Sequence, residues 1–131
     1  MAYIDAENYL IAPKIAATAV AGDVVDLGNR GGFAYPLYVD VKLTEPVSSG
    51  KMDKVKLESS PTSGFTSGNV TEVEVTLNGG TADQAAHPMT LAQFHAPIHP
   101  KNRYVRLTAT ASAVSGGKIQ ATMQQGIAVP Y

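Results

Sequence analysis

Leu37-Tyr38-Val39-Asp40-Val41-Lys42-Leu43-Thr44 decides the fold. Leu37, Val39, Val41 and Leu43 alternate with Tyr38, Asp40, Lys42 and Thr44. Successive side chains of a strand point to opposite faces, so this spacing predicts a strand with one face in a core and the other in water. Pro46 and Ser48-Ser49-Gly50 end it. The same period recurs outward from this point. Val55 and Leu57 alternate with Lys54, Lys56 and Glu58, before the loop Ser59–Gly64. Val73, Val75 and Leu77 alternate with Glu72, Glu74 and Thr76, before Asn78-Gly79-Gly80. Val105, Leu107 and Ala109 alternate with Tyr104, Arg106 and Thr108. Ile119, Ala121 and Met123 alternate with Gln120, Thr122 and Gln124. Asp23–Leu27 and Leu91–His95 are weaker strand candidates. Gly116-Gly117 reads as a hairpin turn between the last two strands, and Gly126 as a bulge.

Short strands at this density, with no helical period after Asp23, predict an all-β single domain of about eight strands. A jelly-roll-like β-sandwich over residues 23–131 is the expected form; the strand pattern alone does not separate it from an immunoglobulin-like sandwich, though the Cys, Trp, Cys framework of true immunoglobulin domains is missing. Residues 1–22 read differently. They carry Tyr3, Ile4, Tyr9, Leu10 and Ile11, then an alanine-rich run. We read them as an N-terminal arm with a short helical turn before Pro13. Tyr3, Ile4, Tyr9 and Leu10, with Tyr131 at the other terminus, are its expected apolar contacts to a neighbouring chain. Lys54–Glu58 is a candidate edge strand for pairing between subunits.

The 131 residues include no cysteine, which removes disulfides and thiolate chemistry. The net charge is −1, so no basic field gathers nucleic acid. Charged residues make up only 16% of the chain, leaving a surface rich in Thr, Ser and Ala that suits close approach to a partner. The first charges are acidic and Pro13-Lys14 interrupts the apolar run, unlike a secretion signal. No segment approaches the ~18 apolar residues of a membrane span.

Candidates for chemistry are few. His95 and His99 are four apart, but Pro97 lies between them and bars the helix that would present both to a metal. The three histidines, His87 included, read as polar loop residues. The serines lie in Gly-rich loops without a nucleophile-elbow pattern. Glu72 and Glu74 read as one solvated strand face. Gly28-Asn29-Arg30-Gly31-Gly32 opens no helix and so is no phosphate loop. We therefore expect no catalytic residues, metal or cofactor. At Arg103-Tyr104-Val105-Arg106 the basic and aromatic residues read as a strand end that receives a partner's carboxylate, with Arg103 as the contact.

Together these segments resemble the capsid cement (decoration) proteins of short-tailed bacteriophages. The similarity runs through Tyr3-Ile4-Asp5-Ala6, Asp26-Leu27-Gly28, Pro36–Val41, Leu57-Glu58-Ser59-Ser60, Arg103–Leu107 and Ser115–Ile119. The stretch 81–99 departs most from the family's pattern. The resemblance implies a jelly roll on the outer surface of an expanded icosahedral shell, assembled in the host cytoplasm. It implies a non-enzymatic homodimer or homotrimer that staples neighbouring major capsid proteins. A different class, a carbohydrate-binding sandwich module, rests on Tyr35, Tyr38 and Tyr104 as a sugar platform.

Overall fold

The computed structural model describes residues 9–27, 36–97 and 102–125. They form an all-β fold of antiparallel sheets arranged as a sandwich. In chain order the elements are β1 (Tyr9–Ile15), β2 (Ala19–Ala21), β3 (Val25–Asp26), β4 (Pro36–Glu45), β5 (Ser49–Gly50), β6 (Lys54–Ser60), β7 (Val70–Thr76), α1 (Thr81–Ala86), β8 (Met89–Pro97), β9 (Tyr104–Thr110), β10 (Val114–Ser115) and β11 (Lys118–Gln125). The first sheet runs β1-β11-β4-β8. The second runs β2-β9-β6-β7, with β3 also on β9. β2 covers Thr108–Thr110 and β3 covers Tyr104–Val105, so the two lie end to end along one edge.

The alternating residues fall as the period requires. Leu37, Val39, Val41 and Leu43 are buried, as are Ile119, Ala121 and Met123 opposite them. From the second sheet Val55, Leu57, Val105, Leu107 and Ala109 meet them in one cluster. Among the described residues this cluster is aliphatic throughout: Leu, Ile, Val, Ala and Met. Burial of such side chains contributes roughly 1.5–3 kcal/mol each against exposure, which is what makes the sheets one body.

Several expectations need correction. Residues 9–21 are not an arm with a helical turn but two strands of the sandwich. Leu10 and Ile11 are fully buried, so the apolar run that marks them is core, and Leu10 is not a contact to another chain. β6 lies between β9 and β7 and has no open edge to offer another subunit. Gly116-Gly117, both at positive φ, turn the chain between β10 and β11; β9 and β11 belong to different sheets and form no hairpin. The bulge expected at Gly126, like Tyr3, Ile4 and Tyr131, lies outside the described residues.

Two features were not legible. α1 is a single turn and a half, its first turn fastened where Asp83 Oδ2 accepts from the Gly80 N–H at 3.0 Å. β5 and β10 form a two-stranded ribbon across the adjacent end. Gly50 there has φ +73, and a Cβ would lie 1.8 Å from the Ala113 carbonyl oxygen. Only glycine fits.

Candidate functional site

The strand directions give the sandwich two unlike ends. At one lie the end of β4, the starts of β6, β8 and β11, and the end of β9; α1 and the β5–β10 ribbon close it. At the other lie Tyr9, Pro36, Pro97 and Gln125 of the first sheet, and Leu27, Ser60, Val70 and Tyr104 of the second. The chain has six tyrosines, three phenylalanines and no tryptophan. Among the described residues, Tyr9 starts β1, Tyr38 is near the start of β4, Phe94 is near the end of β8, and Tyr104 starts β9. Phe65 lies in the loop between β6 and β7. All five are at this second end. Tyr3, Phe33, Tyr35 and Tyr131 lie outside the described residues.

The tyrosines are not core filling: Tyr9 is 41% exposed, and Tyr38 and Tyr104 are half-buried on outer faces, whereas Phe94 packs against the core cluster and Phe65 is buried. Tyr38 and the exposed His95 are cross-strand partners with ring centroids 4.8 Å apart. His95 thus lies in a strand, as the candidate Leu91–His95 has it, and not in a loop as its reading among the histidines has it. One step along the same outer face is Asp40, between Gln93 and Thr122. Lys42 reaches its Oδ2 at 3.7 Å, and its Oδ1 is buried without a hydrogen-bond partner among the described residues.

On the second sheet, Tyr104 faces outward, since Val105 and Leu107 face the core. Tyr38 and Tyr104 therefore look away from each other across two layers and make no common platform; Tyr35 lies outside the described residues. Arg103 finds its carboxylate within the chain. Its Nε and Nη2 donate to Asp26 Oδ1 and Oδ2 at 2.6 and 2.7 Å, and it sits 5.5 Å from the Tyr104 ring centre. The bond to Asp26, then its charge, holds Arg103 above its ordinary pKa. The pair is about half exposed, which keeps its contribution to stability small.

The outer face of the second sheet carries an open groove of about 370 Å³, lined in part by Lys54, Lys56, Glu58, Glu74, Arg106 and Thr108. Arg106 donates to Glu58 at 3.1 Å and lies 4.4 Å over the Phe65 ring. Phe65 adopts φ +52, a left-handed conformation uncommon for a bulky side chain. Asn69 Nδ2 holds its carbonyl at 2.9 Å. Glu72 and Glu74 do not share a face. The register slips between Leu57 and Glu58, so Glu72 is the extra residue of a bulge. It accepts from the buried Ser59 hydroxyl at 2.7 Å, while Glu74 is across from Lys56 and 4.0 Å from the Lys54 ammonium.

Among the described residues no three His, Cys, Asp or Glu side chains converge as a metal site would require. What the second end offers is a set of half-exposed rings, with paired charges beside them, on a rigid aliphatic body. This arrangement can hold a surface by contact. No known family model matches the chain, and no curated protein is significantly similar to it.

Proposed function

We propose that this protein is a structural binder of the bacteriophage capsid cement class, a jelly roll that holds neighbouring major capsid proteins together on the outside of the expanded shell. The observation that carries the reading is the segregation of rings: an aliphatic core, with every described aromatic at one end. Aromatic residues are enriched where protein interfaces are anchored. Phe65 and Phe94 are used within the fold, but Tyr9, Tyr38 and Tyr104 keep ring surface exposed that the core does not need. The motifs that resemble the cement family supply the shell as partner, and the sparse charge of the chain suits a surface that lies against another.

The jelly-roll assignment is supported by chain path. With β2 and β3 counted as one edge and the short β5 and β10 set aside, the principal strands in chain order are β1, β2/β3, β4, β6, β7, β8, β9 and β11. The first sheet then takes the first, eighth, third and sixth of them, and the second takes the second, seventh, fourth and fifth. Only the β6–β7 connection stays within one sheet. Self-association as a dimer or trimer is part of the reading, because bridging at a symmetry axis multiplies weak contacts.

Co-sedimentation with expanded and unexpanded shells tests it. Saturable binding to the expanded form, at a fixed ratio to the major capsid protein, is the expected result. Absence of binding to both ends the proposal. A glycan-binding module is the second reading, favoured by Tyr38 and His95 beside the unpartnered Asp40 oxygen. A glycan screen in which Tyr38→Ala abolishes a reproducible hit would bring it forward.

A further inference from the structure

We propose that Asn78-Gly79 is a self-modification site, at which Asn78 deamidates through a succinimide and loosens the α1 end of the sandwich. The inference is independent of the capsid reading.

The chain has five asparagines, Asn8, Asn29, Asn69, Asn78 and Asn102, and only Asn78 is followed by glycine. The pair lies between β7 and α1. An asparagine loses its amide when the backbone nitrogen of the next residue attacks its side-chain carbon. A side chain on that next residue obstructs the approach, and glycine has none. The fold requires glycine at this position. Gly79 has φ +87, and a Cβ there would lie 2.7 Å from Met89 Cε and 2.9 Å from its Sδ. The turn therefore demands the one neighbour that leaves Asn78 least protected.

The reacting groups are free. Asn78 is exposed. Among the described residues its side-chain amide makes no hydrogen bond, and neither does the Gly79 N–H. Asp83 Oδ2 accepts from the Gly80 N–H instead, at 3.0 Å. The ordinary reason for asparagine at a turn is a bond from its side chain to nearby backbone, and Asn78 makes none among the described residues. Asn69 and Asn102 differ. Asn69 Nδ2 donates to the Phe65 carbonyl at 2.9 Å, and the β-branched Val70 follows it. Asn102 is buried, donates to the Ser59 hydroxyl at 2.9 Å and precedes Arg103.

The Gly79 nitrogen bonds to Asn78 Cγ and the Cγ–Nδ2 bond breaks. The amide leaves as ammonia, carrying the proton that Gly79 gives up, and water then opens the ring. Opening at Cγ gives aspartate. Opening at the main-chain carbonyl gives isoaspartate, whose backbone runs through Cβ and Cγ and is one atom longer. Either product adds one negative charge to a chain of net charge −1. Isoaspartate reaches further, because Asn78 ties the end of β7 to two other elements. Its N–H donates to the Leu91 carbonyl of β8 at 2.8 Å, and its carbonyl accepts from Gln84 Nε2 of α1 at 3.1 Å. With an extra atom in the main chain and that carbonyl moved off it, the two bonds cannot keep their present spacing. Gln84 also holds the Met52 and Val47 N–H groups, at 2.8 and 3.0 Å, so those two bonds loosen with it.

The test is to age the purified full chain at mildly alkaline pH and map it by peptide mass spectrometry. Isoaspartate is counted by enzymatic methylation of its free carboxyl. Asn78 is expected to convert at least about ten times faster than Asn69, a barrier lower by about 1.4 kcal/mol. Asn78→Ser should abolish both the product and the added charge. The isolated isoaspartyl chain should exchange the Met52 and Val47 amide hydrogens faster than the fresh protein. It should also exceed fresh Asn78→Asp, which carries the charge on an unaltered backbone. Equal conversion at Asn69 and Asn78, or conversion only after unfolding in urea, would overturn the inference. An isoaspartyl chain that exchanges these amides no faster than Asn78→Asp would overturn the loosening of the α1 end.

Discussion

Gln84 shows how one side chain can hold two elements that share no ladder. It is fully buried on the short α1, yet it is polar. Its Oε1 accepts from the Met52 N–H at 2.8 Å, and its Nε2 donates to the Met52 and Asn78 carbonyls at 3.0 and 3.1 Å. Its own carbonyl accepts from the Val47 N–H at 3.0 Å. The amide replaces strand neighbours that these backbone groups lack. Gln84→Ala leaves a buried N–H and two carbonyls unpaired, and the expected loss is about 3 kcal/mol, read as a drop in the urea midpoint. Gln84→Glu should do comparable damage, because a carboxylate cannot donate to either carbonyl. Nothing in Thr81–Ala86 announces this role, since the partners are 32 residues away in sequence for Met52.

Asp53 works similarly at the surface. The Ser112 N–H donates to its Oδ2 at 2.7 Å, the Ser112 hydroxyl lies at 3.2 Å, and Lys51 is 3.7 Å from Oδ1. The backbone bond from Ser112 is the largest cause that lowers its pKa; burial opposes it, and the Ser112 hydroxyl and Lys51 add to the lowering. A depressed folded pKa contributes stability that is present above the unfolded value of about 3.9 and lost as pH falls through the folded value. Asp53→Asn is therefore expected to flatten the fall in stability below about pH 4. Thermal melts of both proteins from neutral pH downward check this. An unchanged acid limb would remove Asp53 from the account.

At the scale of elements, the legible strands were those with a strict period of two: β4, β6, β7, β9 and β11. The alternation failed where the chain departs from it. In β8, Leu91 and Ala92 are both buried because the register slips between Val41 and Lys42. In β1, Leu10 and Ile11 are both buried beside another slip. Two neighbouring apolar residues resemble a helical turn or an arm when read alone, and a bulge is set by pairing that only the fold supplies. The site was less legible than the fold. Tyr9, Tyr38 and Arg103 stood out by type, but the sheet to which each belongs determines what they can touch. Arg103 is committed to Asp26, and Tyr38 and Tyr104 to opposite faces.

The junction of β2 with β3 is the element most open to test. Gly22 crosses β1 so closely that a Cβ would lie 1.7 Å from the Leu10 carbonyl oxygen. Its N–H donates to the Leu107 carbonyl at 2.9 Å, so it cannot simply retreat. Gly22→Ala should cost at least about 2 kcal/mol, as backbone clashes of this kind do. It should also strip hydrogen-exchange protection from β1, β2 and β3 before β4 and β6 are affected. Uniform loss of protection would mean that this edge is not a separable unit.

For the whole molecule, the two ends make opposite demands. The end closed by α1 and the β5–β10 ribbon is fastened by Gln84, Asp53 and the hydroxyl pair of Ser49 and Ser115, 2.6 Å apart. Substitution there should act on folding. The aromatic end holds rings whose removal uncovers little core, so substitution there should act on binding. Tyr38→Ala and Tyr104→Ala each remove a half-exposed ring outside the aliphatic cluster, and both are expected to leave the unfolding free energy from urea melts within about 1 kcal/mol of the parent. If the aromatic end grips the shell, each should weaken shell binding at least tenfold, as anchor residues do. Because they lie on opposite faces, their losses should add. Ser49→Ala, at the other end, should leave shell affinity unchanged. Titration of expanded shells with the four proteins separates the ends. Equal weakening by Ser49→Ala and the tyrosine variants would show that affinity follows stability and not the aromatic end. Loss confined to one tyrosine would instead restrict the contact to the face that carries it.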